Sequence, residues 1–176
     1  HLSIDPVVIS AQVISAVQTI ISRSTDPVDK ALISITKINA GTAYNVIDDQ
    51  VKMGGTIRTF KKETRSYIEK RLRELCNGIA EAHGAEIRIQ FDLVNKYPPT
   101  INSKKESIFA GNVAKDLVGE DKVITDIDPS MGGEDFSYLL EEKPGTYLYL
   151  GQGDTNHNAH LHTTKYDFND NLLPVG

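Results

Sequence analysis

The densest run of chemistry-bearing residues is His157-Asn158-Ala159-His160-Leu161-His162, just after an apolar stretch at 146–150. Neutral imidazole is the commonest protein metal ligand, and α/β sheets place their sites in loops beyond strand ends. Neighbouring positions on an extended loop point in different directions, so one of the three histidines suffices for a ligand role. A polar surface loop is the plain alternative. Met131-Gly132-Gly133-Glu134-Asp135-Phe136-Ser137 is a second candidate. Its glycines let the backbone approach a ligand, and N–H groups at a helix start favour an anion such as a carboxylate. Taken alone it is also an ordinary turn with Glu134 or Asp135 at a helix start. Arg58 and Asn45 flank a turn between two predicted strands. Arginine suits a bidentate grip on a carboxylate, and asparagine offers both donor and acceptor. Spacing alone makes them a solvated strand residue and a turn former.

These residues need elements to position them. Asp5-Pro6 predicts a helix start, and Ile9, Val13, Ala16 and Ile20 recur at helical spacing until Asp26-Pro27. Strands are predicted at 31–38 and 51–60, with Val51, Met53 and Ile57 on one face and Lys52, Thr56 and Arg58 on the other. Ile68, Leu72, Leu75, Ile79 and Ala82 predict a second helix, ended by Gly84. At 86–93, Ile87, Ile89, Phe91 and Leu93 alternate with Glu86, Arg88, Gln90 and Asp92, a strand with one wet face. The order α-β-β-α-β becomes a ferredoxin-like split βαβ pair once a strand is restored before His1. Tyr97-Pro98-Pro99-Thr100 is a stiff connector. A helix near 104–118, a strand near 122–127, a short helix near 134–142, a strand at 146–150 and a polar loop at 151–165 follow. That alternation suggests part of an α/β sheet.

With 19 basic against 24 acidic residues and no basic block, nucleic acid and anionic membrane are not expected partners. The single cysteine, Cys76, excludes an internal disulfide framework and favours a reducing, cytoplasmic setting. No apolar run is expected to reach the roughly 18 residues of a membrane span. The opening His1-Leu2-Ser3, without an initiator Met, reads as a cut inside a longer polypeptide.

Leu161-His162 followed by Tyr166-Asp167-Phe168-Asn169-Asp170 resembles the closing motif of the aminoacylase/hippurate hydrolase group of dinuclear metal amidohydrolases. Carboxypeptidase G-type enzymes, indoleacetyl-amino acid hydrolases and acyl-diaminopimelate deacylases are relatives in that family. His1-Leu2-Ser3-Ile4-Asp5-Pro6, Asn45-Val46-Ile47, Gly55-Thr56-Ile57-Arg58-Thr59-Phe60, Tyr97-Pro98-Pro99-Thr100 and Gly133-Glu134-Asp135-Phe136 match in the same order.

The resemblance implies an α+β chain. Residues 1–94 would be most of a ferredoxin-like lid and homodimerisation domain, with two helices on one face of an antiparallel sheet. Residues 95–176 would be the C-terminal part of an α/β metallo-hydrolase catalytic domain. It implies hydrolysis of small N-acyl amino acids with two divalent ions, zinc, manganese, cobalt or nickel. His162 would be the last metal ligand. Asn45, Arg58, Gly133 and Glu134 would meet substrate, Asn45 within its own chain or across a dimer. The other ligands and a glutamate base would lie upstream, leaving residues 1–176 inactive alone. His1 matches only the trailing histidine of the lid motif, and no role attaches to His157 or His160. Asp48 stands where the family usually has proline. A stand-alone binding or dimerisation module is the competing class, favoured if no His/Asp/Glu-rich segment precedes His1.

Overall fold

The computed structural model describes residues 1–92, 97–152 and 156–176, arranged as two compact units. The first comprises His1–Ile101 with Ile124–Glu142, the second Asn102–Val123 with Lys143–Gly176. The expected boundary at 94/95 and Leu93 of the expected strand lie outside the described residues. The fold class is α+β, as expected.

In the first unit, α1 (Pro6–Ser24) begins where the residue types require. Asp5 Oδ1 accepts from the amides of Val7 (2.9 Å) and Val8 (3.3 Å), satisfying orphan donors of the first turn. The helix stops where Thr25 Oγ1 donates to the Ile20 carbonyl at 2.8 Å, ahead of Asp26-Pro27. Its uncharged run from Pro6 to Ser22 corrects one expectation: by length and composition α1 is long and apolar enough to cross a membrane. Ser, Gln and Thr carry its polar face instead of charges, and Ile9, Val13, Val17 and Ile20 are its buried stripe.

β1 (Ala31–Asn39) and β2 (Lys52–Thr59) pair antiparallel, with Ile33 opposite Ile57 and an irregularity between Ile35 and Lys37. Gly55 opposes Ile35 at that irregularity, where a Cβ would overlap the Ser34 carbonyl oxygen. Only glycine permits this approach. α2 (Lys62–His83) closes on Gly84 at φ 61°, and Ala85 N donates to the Ala80 carbonyl at 2.9 Å, completing the helix end. Both helices pack on one sheet face, with Val17, Ile20 and Ile68 essentially free of solvent beside Ile33. Each such side chain contributes about 1.5–3 kcal/mol by burial.

Ala82 of the expected stripe is exposed, and Cys76 and Ala80 are buried instead. Burial pushes the Cys76 thiol up from its ordinary pKa. Asp29, on the loop before β1, accepts from Lys61 and from Thr64 Oγ1 (2.9 Å), tying that loop to the start of α2. The Lys61 hydrogen bond, then that of Thr64, holds the Asp29 carboxyl below its usual range.

Segment 85–92 departs from expectation in an instructive way. Its burial alternates as predicted, with Ala85, Ile87, Ile89 and Phe91 half-buried and the residues between them exposed. Ile87 and Ile89 pack on the core, yet the segment joins no ladder among the described residues. Arg73 attaches it instead, donating to the Ile89 carbonyl at 3.4 Å and lying 4.8 Å over the Phe91 ring.

In the second unit, α3 (Lys104–Val118) forms as expected, followed by a short 3₁₀ turn at Glu120–Lys122. The strands expected at 122–127 and 146–150 are not paired among the described residues. Strand composition by itself does not make a strand; the hydrogen-bonding neighbour does. At 147 a side chain does the pairing. The Asn102 carboxamide accepts from Tyr147 N (2.7 Å) and donates to Tyr147 O (2.9 Å), as a ladder neighbour would. The short helix expected near 134–142 is α4 (Phe136–Glu142), which belongs to the first unit.

Two glycine substitutions should move stability in opposite directions. Gly55→Ala forces the β1–β2 backbones apart and is expected to cost more than about 1 kcal/mol. Gly78, within α2 with nothing near its missing Cβ, should gain up to about 1 kcal/mol as alanine. Urea denaturation of both variants checks this, and a neutral Gly55→Ala would show that the approach at Ser34 is not constraining.

Candidate functional site

Arg58, at the end of β2 on its exposed face, reaches a part of the chain far away in sequence. Its Nη1 donates to the carbonyl of Met131, the residue before Gly132-Gly133. Two of the regions picked from sequence are thereby brought together within the first unit. A guanidinium carries five N–H donors, so one bond to a carbonyl leaves donors for a carboxylate.

The glycine loop is held at several points. Gly132 N donates to Ser130 Oγ at 3.2 Å. Beyond it, the half-buried Glu134 begins α4: its carbonyl accepts from Ser137 N (3.2 Å) and Ser137 Oγ (2.5 Å), and its Oε1 from Phe136 N (3.4 Å). Ser137 is completely buried, so α4 is held in part through a hydroxyl. Glu134 therefore orders the loop end, a structural task beside the substrate contact expected of it. Tyr97 abuts Gly133, with ring Cδ2 3.2 Å from where a Cβ would stand. Tyr97 does not stand out from local sequence as a partner for this loop.

Asn45 occupies an exposed turn in which Val46 N donates to the Ala43 carbonyl at 3.3 Å. Asp48 is half-buried and accepts from Thr42 Oγ1 at 2.8 Å, closing the loop by a side-chain bond. No contact joins Asn45 to Arg58 or to the glycine loop among the described residues.

In the second unit, His162 is exposed at φ 62°, the only non-glycine residue with positive φ among those described. Such backbone costs of the order of 1–3 kcal/mol and persists where surrounding structure enforces it. The bracing comes from the ends of the histidine loop. Gln152 Oε1 accepts from Asn169 N (3.4 Å) and Tyr166 Oη (3.5 Å), and its Nε2 donates to the Asp167 carbonyl (3.3 Å). Asn169 is 7% exposed and donates through Nδ2 to the Gln152 carbonyl at 3.4 Å. Within the loop, Thr163 Oγ1 donates to the His160 carbonyl at 2.9 Å. His157 is half-buried and His160 exposed. Positions 153–155 of the expected 151–165 loop lie outside the described residues.

Among the described residues, no group of three or more His, Cys, Asp or Glu side chains converges to hold a metal ion. A catalytic zinc normally takes three protein ligands. His162 offers one imidazole, so these residues do not by themselves fit a two-ion centre.

The chain matches the peptidase family M20/M25/M40 over residues 5–176. It is 36% identical to an Arabidopsis thaliana IAA-amino acid hydrolase ILR1-like 2, covering 99% of this chain and 40% of that relative. It is 37% identical to a Campylobacter jejuni hippurate hydrolase, covering 96% and 43%. A Bacillus subtilis N-acetylcysteine deacetylase is 34% identical, covering 98% and 43%. The crystal structure of Bacillus subtilis YXEP protein, a dinuclear metal binding peptidase from the M20 family, superimposes with a TM-score of 0.71 at 32% identity. It is covered over 98% of this chain and 43% of that one. A chain from methicillin-resistant Staphylococcus aureus shares the fold, with a TM-score of 0.77 at 24% identity, over 96% and 43%. The chain thus spans less than half the length of these relatives.

The backbone at His162 yields a stability test. His162→Gly removes a side chain from left-handed backbone and is expected to stabilise the protein by about 0.5–1 kcal/mol, whereas His162→Ala retains the strain. Chemical denaturation measures both, and a destabilised His162→Gly variant would show that the imidazole itself holds the loop.

Proposed function

This chain belongs to peptidase family M20/M25/M40, and from that premise we propose that the protein hydrolyses the amide bond of N-acyl amino acids. The products are a carboxylate and a free amino acid. The observation that carries the proposal is the meeting of Arg58 with the residue preceding Gly132-Gly133. A guanidinium beside a glycine turn and a helix start is suited to a carboxylate, the group every amino acid product shares. The named activities of the hippurate hydrolase and N-acetylcysteine deacetylase relatives support this substrate class.

In this proposal Arg58 and the Gly133–Glu134 loop orient the substrate by its α-carboxylate, and Asn45 contributes a further polar contact. His162 supplies one imidazole to a centre of two divalent ions, zinc, manganese, cobalt or nickel. The remaining ligands and the general base come from outside residues 1–176. Residues 1–94 act as a lid through which the protein forms a homodimer, and 95–176 belong to the catalytic domain. The buried, unpaired thiol of Cys76 suits a reducing, cytoplasmic setting.

The roles separate kinetically in the full-length protein. His162→Ala should lower both metal content and kcat severely. Arg58→Ala should retain metal and lose roughly 10- to 150-fold in kcat/KM, the cost of about 1.5–3 kcal/mol for one charge-assisted hydrogen bond. Asn45→Ala should resemble Arg58→Ala. If Asn45 works across a dimer, mixing Asn45→Ala with His162→Ala protein restores part of the activity once subunit exchange is demonstrated with differently tagged chains. An Arg58→Ala enzyme with unchanged kcat/KM would remove the proposed carboxylate contact.

Residues 1–176 alone, supplied with zinc or manganese, should not hydrolyse N-acetyl or N-benzoyl amino acids, because one histidine cannot assemble the centre. Metal-dependent turnover by the purified fragment would overturn this.

A further inference from the structure

Tyr97 lies where three parts of the first unit meet. Its ring contacts Gly133 on one side, and a Cβ at 133 would stand 3.2 Å from Cδ2, tighter than side chains normally pack. On another side the ring meets Tyr138 of α4 edge-on, with centroids 5.9 Å apart and planes at 60°. Its backbone is tethered as well: Arg65 Nη1 donates to the Tyr97 carbonyl at 3.5 Å, while Arg65 Nε is paired with Glu69 at 3.1 Å. Arg65 and Glu69 lie one turn apart on α2, so Tyr97 is referred back to the element that also buries Ile68. The following Pro98-Pro99 stiffens the chain on that side. The ion pair between Lys62 and Glu141 (2.5 Å) ties the far end of α4 to the same helix.

The glycine loop is thus gripped twice. Arg58 holds it at Met131, and the Tyr97 ring backs it at Gly133. We propose that Tyr97 is a positioning residue that fixes the Gly133–Glu134 loop for the substrate carboxylate. The aromatic ring does this, since no hydrogen bond to the Tyr97 hydroxyl occurs among the described residues. The contact also accounts for glycine at 133: alanine would push against the ring, and the loop, lacking a ladder of its own, would yield. This inference rests on the carboxylate-binding role proposed above.

The test uses the full-length enzyme and two independent measurements. In hydrogen exchange, the amides of residues 131–135 should exchange faster in Tyr97→Ala and at the native rate in Tyr97→Phe. In kinetics with an N-acyl amino acid, Tyr97→Ala should raise KM roughly tenfold with kcat changed by less than about twofold, and Tyr97→Phe should restore the native KM. Gly133→Ala should raise KM in the native background and add little in the Tyr97→Ala background, because the clash needs the ring. Unchanged exchange in Tyr97→Ala, or additive Gly133 and Tyr97 effects, would overturn the inference. Faster exchange with unchanged KM also overturns it. Arg58→Ala then tells which premise failed: an unchanged KM there means that the carboxylate reading is at fault, a raised one that Tyr97 alone is misassigned.

Discussion

Everything in the first unit is referred to one apolar junction, where Val17 and Ile20 of α1 meet Ile68 of α2 over Ile33 of β1. Those side chains exclude solvent, so the two helices and the sheet cannot tilt independently without opening a cavity. Arg58 leaves β2 from the opposite, wet face of that sheet. Arg65, on α2 one turn before the junction's Ile68, grips the carbonyl of Tyr97. Both grips on the glycine loop are therefore transmitted from the same rigid block. A long, flexible arginine acquires a definite position because its Cα belongs to the packed sheet, and an exposed tyrosine because Arg65 of the packed helix holds its carbonyl.

How much of this could be read from sequence depends on whether the deciding contact is local. Asp5-Pro6, Gly84 and the two faces of β2 were legible, because capping and period-two alternation involve neighbours in the chain. The helical stripes were legible in kind and slightly off in detail. Val17 rather than Ala16 is the fully buried residue, and Cys76 and Ala80 replace Ala82, since spacings of three and four fit a helix equally well. The segments at 122–127 and 146–150 have strand composition without a ladder to join among the described residues, and composition says nothing about neighbours. The candidate residues are legible by type and by resemblance, while their bracing is not. Neither Arg58 with Met131 nor Tyr97 with Gly133 leaves a trace in either residue's own surroundings, and Gln152 holding Asn169 is equally silent.

The two units illustrate different ways of fixing a loop. The glycine loop has little internal structure and is backed from outside by an aromatic ring and a guanidinium. The histidine loop is pinned at its base by the Gln152–Asn169 carboxamides and carries strained backbone at His162. An external brace makes the loop's position depend on residues far away in sequence and on how closely its backbone can approach them. An internal brace makes position depend on a few polar residues at the ends, which is consistent with Asn169 being among the few buried polar groups.

Segment 85–92 shows what a period-two pattern does when it joins no ladder among the described residues. Alternating burial tells each residue which way to face, but not how far along the axis to sit. A slide of two positions would still turn Ile87, Ile89 and Phe91-type sites inward. Arg73 removes that remaining freedom, since only one axial position brings the Ile89 carbonyl to its Nη1 and the Phe91 ring beneath its guanidinium. A single cation acts here as a pawl on a ratchet, setting by one clasp the translation that a full ladder would set by repetition.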